Sequence, residues 1–232
     1  MKYLLVVAHP DDEVLGAGGT IYKLTSAGHE VDLCVLSGNA AARNYRPSID
    51  DLKYDMGESS KVLGIKEIIE GQFPNIEFNN VPHLMLVQFI EKAIMKFEPD
   101  IIITHHPADL NNDHLHTSIA CQAAIRLFQR KPSIKPVNEL LFMEIISSTE
   151  WNVNSGINSF EPNTFFEIGT EGLDKKIQAL QKYRGVMRDF PHPRSKEVIT
   201  GLSAYRGGQS GLKYAEAFQV VFRRIVTSEV EE

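Results

Sequence analysis

Lys2-Tyr3-Leu4-Leu5-Val6-Val7-Ala8-His9-Pro10-Asp11-Asp12-Glu13 is the stretch that decides how this chain is read. The apolar run from Tyr3 to Ala8 stops abruptly in one imidazole and three carboxylates. A continuous apolar run of this length predicts a strand buried on both faces, the mark of a parallel sheet. Open α/β sheets carry their functional groups in loops at the carboxyl ends of such strands. His9 and Asp12 offer donor types that zinc accepts, an imidazole nitrogen and a carboxylate oxygen. They are two ligands, and a third has to come from elsewhere in the chain.

Working outward, residues 11–27 predict a helix, with Val14, Ala17, Tyr22 and Leu24 roughly on one side. Gly16, Gly18 and Gly19 interrupt it, although each glycine costs ~1 kcal/mol against alanine in a helix. Their small size lets the helix press closely against a strand. They are not a dinucleotide fingerprint, because GxGxxG precedes its helix and the acidic loop takes that place. Strand two covers Val31–Leu36, and residues 38–50 form a polar loop with Arg43 and Arg46. A helix over Asp51–Leu63, a short strand at Glu67–Glu70 and a loop over 71–80 follow. Pro82 opens a helix to Phe97, a position that proline tolerates.

Strand four, Asp100–Thr104, also ends in a polar burst that runs from His105 to His116. A helix is expected from His114 to Arg130, then strands at Leu140–Ile146 and Thr164–Ile168. A helix over 173–188, a rigid Pro191–Ser195 loop and a helix over 197–206 come next. Gly207–Gly211 reads as a flexible loop and Tyr214–Val226 as a last strand, with a frayed charged tail. Trp151 offers two readings, a stacking platform for a ligand or a packed core residue, and the packed one is expected.

Alternating strands and helices predict an α/β fold, a Rossmann-like three-layer sandwich with a mostly parallel sheet, as a single domain over 1–232. If the strand order is 3-2-1-4, strands one and four flank one crevice. That brings His9 and Asp12 to the His105–His116 loop and leaves open which histidine completes the site. Three protein ligands and an open position are the arrangement of catalytic zinc, which lowers the pKa of its water to roughly 7. Asp11 adjoins a ligand but points elsewhere, so it is free to act as a general base. These parts suit hydrolysis of an amide or ester.

Composition narrows the classes. A net charge of −6 over 232 residues argues against a nucleic-acid backbone as partner. No apolar run approaches the ~20 residues of a membrane span. The N-terminus enters strand and acidic loop directly, unlike a signal peptide. Cys34 and Cys121 sit in apolar segments without CxxC spacing, which reads as free thiols in a reducing cytoplasm.

Ala8-His9-Pro10-Asp11-Asp12-Glu13, with Asp109-Leu110-Asn111-Asn112-Asp113-His114, resembles the PIG-L/LmbE-type zinc-dependent deacetylases. Pro99-Asp100, Ser147–Trp151, His192-Pro193-Arg194-Ser195 and Tyr214–Phe218 extend the likeness over nearly the whole chain. The resemblance implies removal of an acetyl group from an N-acetylglucosamine-type substrate. It implies His9, Asp12 and His114 as ligands of Zn²⁺ or another divalent ion, and Asp11 as the base. Asp109 and Asp113 become candidates for orienting the ligands.

Two positions depart from the family pattern. Several branches have a histidine three residues before the third ligand, where this chain has Asn111. An amide can stabilise an oxyanion but cannot act as a general acid, so Asp11 or His192 is expected to protonate the leaving amine. A family arginine is not cleanly aligned: Leu52 and Lys53 lie near its expected place, and Arg43 and Arg46 lie earlier. Arg43 and, on the His192–Ser195 segment, Arg194 are the basic candidates for supporting the site or contacting the substrate. The rivals to deacetylation are a same-family amidase acting on a larger acyl group or thiol-sugar conjugate, and a non-catalytic binding module. Homo-oligomerisation is left open.

Overall fold

The structure, a computed structural model, describes residues 1–39, 47–153 and 159–227. Strand β1 (Lys2–Val7) leads into helix α1 (Asp12–Ser26), β2 (Glu30–Val35), α2 (Ile49–Leu63) and β3 (Ile68–Glu70). Next come α3 (His83–Phe97), β4 (Ile101–His105), α4 (Asn112–Ala124), α5 (Leu127–Arg130) and β5 (Glu139–Met143). The chain closes with β6 (Thr164–Glu167), α6 (Gly169–Lys182), α7 (Lys196–Ser210) and β7 (Ala215–Arg223). The strands form one sheet in the order β3-β2-β1-β4-β5-β7-β6. The first five are parallel, and β7 runs antiparallel between β5 and β6. The expected 3-2-1-4 order is present, with β1 and β4 side by side where the order reverses.

The two faces of β1 explain its unbroken apolar sequence. Tyr3, Leu5 and Val7 enter one core with α1, α2 and α6, while Leu4, Val6 and Ala8 enter another with α3 and α4. Successive side chains alternate faces, and helices cover both. Helix α1 comes close to β5 at Gly16, where a Cβ would lie 2.5 Å from Met143 Sδ. Cys34 and Cys121 are both buried free thiols, and burial raises the pKa of each.

Several elements differ from the pattern-based expectation. Helix α1 breaks at Ala17 (φ −142°, ψ 16°). The Gly19 and Thr20 N–H groups donate to the Glu216 carboxylate at 3.0 and 2.7 Å. Lys176 completes this buried network, donating to Glu216 and to the Leu15 carbonyl. A side chain inserted into the helical ladder is a recognised cause of a kink. The helix expected to reach Arg130 is divided, since the backbone tightens into an Arg126 N–H to Ala123 carbonyl bond between α4 and α5. Helix α6 lies earlier than 173–188, because the backbone turns extended at Tyr183.

Helix α7 runs through Gly207 and Gly208, where a flexible loop was expected. A Cβ on Gly207 would lie 2.6 Å from the Leu212 carbonyl oxygen, so this glycine serves close packing. Trp151 is 57% exposed rather than packed. Among the described residues, no helix is long and apolar enough to cross a membrane.

Candidate active site

Between β1 and α1 the chain turns through Asp11, whose φ of 101° lies in the left-handed region, uncommon for a residue with a side chain. The Asp11 carbonyl accepts the Val14 and Leu15 N–H groups at 3.1 and 2.9 Å. Its own N–H donates to Glu13 Oε2 at 3.1 Å. This turn sends two consecutive carboxylates to different places. Asp12 Oδ2 accepts the His9 N–H at 2.9 Å and lies 3.3 Å from His9 Nδ1 and 3.2 Å from His114 Nε2. Asp11 Oδ2 lies 3.3 Å from Arg194 Nη1.

The second half of the site comes from the loop after β4. Asn111 caps α4, its Oδ1 accepting the Asp113 N–H at 2.9 Å. His114 follows in the first turn of that helix. His9, Asp12 and His114 are all buried, and they offer donor atoms within 4.8 Å of one another. Neither ring nitrogen of His114 makes a well-aligned hydrogen bond among the described residues; both face carboxylates instead, with Nε2 beside Asp12, where the two could share one ion. The His9 and His114 imidazoles are each backed by a carboxylate. Asp113 Oδ2 is 2.9 Å from His9 Nε2, and Asp109 Oδ2 is 3.1 Å from His114 Nδ1. The second contact is an ion pair rather than a well-aligned hydrogen bond. Carboxylates placed this way orient metal-binding imidazoles and raise their basicity. The donor set therefore fits a divalent ion.

His105 supports the cluster from beneath. It stacks on His114 with centroids 3.9 Å apart, and its Nε2 accepts the Ala8 N–H at 2.9 Å. Burial and the neighbouring His114 push its pKa down to about 3. Burial alone would raise the Asp12 carboxyl, but His114 and His9 outweigh it and hold Asp12 well below the usual range. Burial would lower His114, yet Asp12 and Asp109 hold it up at about 10. Such a cluster retains protons where a metal ion would otherwise balance the carboxylates. Burial pushes Glu13 up to about 8, against the pull of the Tyr183 hydroxyl.

The donors and Asp11 open onto a cavity of about 210 Å³. Asn111, Ser147, Ser148 and Arg194 form part of its wall, and Asn75 and Ile76 complete it. Asp109 joins the two loops, accepting from Ser148 Oγ, from Thr149 Oγ1 at 2.7 Å and from the Asn111 N–H at 2.8 Å. Arg194 donates to Ser147 Oγ at 2.9 Å. Asn75 and Ile76 had no signal of their own in the sequence. Their segment is drawn in by Asp113, which accepts the Ile76 and Phe78 N–H groups at 2.6 and 2.9 Å.

His192 is exposed and does not line the cavity. Its Nδ1 is turned to its own loop, where it accepts the Arg194 N–H at 3.0 Å. The rigid Pro191–Ser195 loop thus delivers Arg194, not His192, to the site. Arg43 and its neighbour Arg46 lie outside the described residues.

A family model described as GlcNAc-PI de-N-acetylase, PIG-L, matches residues 4–125. A diacetylchitobiose deacetylase from Thermococcus kodakarensis is 25% identical, covering 95% of this chain and 83% of that protein. A probable N-acetyl-alpha-D-glucosaminyl L-malate deacetylase 2 from Bacillus cereus is 30% identical, covering 78% of this chain and 81% of that protein. Among solved structures, GalB, the 4-carboxy-2-hydroxymuconate hydratase from Pseudomonas putida KT2440, superposes with a TM-score of 0.76. That match covers 99% of this chain and 100% of GalB at 22% identity, and it shows the fold alone.

Proposed function

The chain belongs to the PIG-L de-N-acetylase family, and on that premise we propose that it is a zinc hydrolase that removes the N-acetyl group of an amino-sugar derivative and releases acetate. The observation that carries this reading is the meeting, in one cavity, of three buried N/O donors with a further carboxylate turned away from them. The relatives' activity on N-acetylated sugars supports the substrate class.

His9, Asp12 and His114 would hold a divalent ion, which would supply Lewis acidity and lower the pKa of a water to roughly 7. The chain's own residues manage the protons and the developing charge. Asp11 accepts a proton from the water that attacks the acetyl carbonyl. It returns that proton to the amide nitrogen as the C–N bond breaks, so that acetate and a free amine leave. Arg194, 3.3 Å from Asp11 Oδ2, fixes that carboxylate at the cavity wall. Asn111 Oδ1 is committed to the helix cap, so its amide N–H is the group left to donate to the acyl oxygen. With His192 outside the cavity, the return of the proton falls to Asp11.

The fold does not choose the reaction, since a hydratase shares it. The discriminating experiment is acetate release by zinc-loaded protein against N-acetyl sugars, free and nucleotide-linked. Asp11→Asn should retain its zinc and lose about 10²- to 10⁴-fold in turnover, the usual contribution of a general acid–base residue. Wild-type turnover by Asp11→Asn would overturn the mechanism. Absence of acetate from every substrate would overturn the function.

A further inference from the structure

We propose that Glu13 and Tyr183 are positioning residues, forming a buried brace that holds the Asp11 backbone left-handed and so aims the Asp11 carboxylate into the cavity. The proposal rests on the reading of Asp11 as the base. A left-handed backbone at a residue other than glycine has to be over-determined by its surroundings. Asp11 is gripped on both sides. Its carbonyl is held by the first turn of α1, and its N–H by Glu13 Oε2 at 3.1 Å. The other Glu13 oxygen accepts the Tyr183 hydroxyl at 2.6 Å.

Neither residue is placed by local pattern. A glutamate in the first turn of a helix usually faces solvent, where the helix dipole favours it. Glu13 instead has no exposed surface, and Tyr183 is only 1% exposed. Tyr183 comes from the end of α6, 170 residues along the chain, and α6 packs directly on α1. Water is therefore excluded from both hydrogen bonds of the brace. Asp12 is held independently, by the His9 N–H and the imidazoles of His9 and His114. The brace thus acts on the base and leaves the metal ligands in place.

The test combines a crystal structure of Glu13→Ala with a double-mutant cycle. In the crystal, Asp11 should leave positive φ and lose its contact with Arg194; an unchanged φ overturns the proposal. Kinetics use acetate release from N,N′-diacetylchitobiose by zinc-loaded protein. Glu13→Ala should lower kcat about 10- to 100-fold, the scale of a misplaced catalytic group, with zinc content and KM unchanged. Glu13→Gln keeps a carbonyl acceptor for the Asp11 N–H and should recover most of the loss.

In the Asp11→Asn background, Glu13→Ala should cost nothing further. An equal loss in both backgrounds, or loss of zinc from Glu13→Ala, overturns the proposal. Wild-type kcat for Asp11→Asn alone refutes the base reading instead, and the crystal result still judges the brace. If Glu13→Ala does not fold, Tyr183→Phe takes its place in both experiments with the same deciding outcomes.

Discussion

Asp109→Asn isolates one charge while preserving shape. The Asp109 carboxylate accepts three hydrogen bonds and lies 3.1 Å from His114 Nδ1. With oxygen kept at the Oδ1 position, the amide still accepts from the Asn111 N–H and from Ser148 Oγ. Its NH₂ then faces Thr149 Oγ1 and His114 Nδ1. Thr149 Oγ1 already accepts the Ile145 N–H at 2.7 Å, so its own proton loses its acceptor. The larger consequence is at the imidazole. The carboxylate favours a proton on Nδ1, which leaves the Nε2 lone pair for a metal ion, whereas an amide NH₂ favours the opposite tautomer.

Loss of such a supporting carboxylate costs about 10- to 100-fold in metal affinity, or about 1.4–2.7 kcal/mol at 1.36 kcal/mol per tenfold change. Competition against a chromophoric chelator measures it directly. Ser148→Ala is the control, because it removes one donor to Asp109 and leaves the charge beside His114. Asp109→Asn should bind zinc at least tenfold more weakly than Ser148→Ala. Equal affinity in wild type and Asp109→Asn would refute the claim that Asp109 prepares His114 for the metal.

Metal uptake should also depend on pH. His114 is held up at about 10 without an ion, so at neutral pH the metal has to displace its proton. Affinity should rise about tenfold per pH unit between pH 7 and 9, with about one proton released per ion, measured by calorimetry in buffers of different ionisation enthalpy; a pH-independent affinity would contradict this. Because the folded pKa is raised, the stability His114 gives the metal-free protein is full below its unfolded value of about 6.5 and is lost as pH rises through about 10. In α7, two adjacent glycines should respond with opposite signs. Gly208→Ala meets nothing within 4 Å and should gain up to about 1 kcal/mol from helix propensity. Gly207→Ala runs into the Leu212 and Lys213 carbonyls and should lose about 1–3 kcal/mol, both read from urea denaturation.

The parts of this protein that were legible in its sequence share a physical cause. Strands β1 and β4 are buried on both faces, so they read as continuous apolar runs, and the polar bursts that end them stand out. One topological rule then brings His9 and Asp12 to the loop that carries Asp109, Asn111 and His114. The failures share a cause too. Gly207 and Gly208 look like a loop by composition, but Gly207 packs under a carbonyl that follows the helix. His192 and Arg194 lie two residues apart on one rigid loop, and only the three-dimensional path of that loop decides which reaches Asp11. Glu216 at the α1 break, Tyr183 on Glu13 and Asp113 on the Ile76 segment act across 35 or more residues. No period or spacing encodes contacts of that kind. It follows that donor identity in this site is a local property of two motifs, while donor direction is a tertiary one. The different directions of Asp11 and Asp12 show the distinction: two identical side chains, adjacent in sequence, are sent apart by a left-handed turn at Asp11, and the supports proposed for that turn lie on Glu13 and Tyr183.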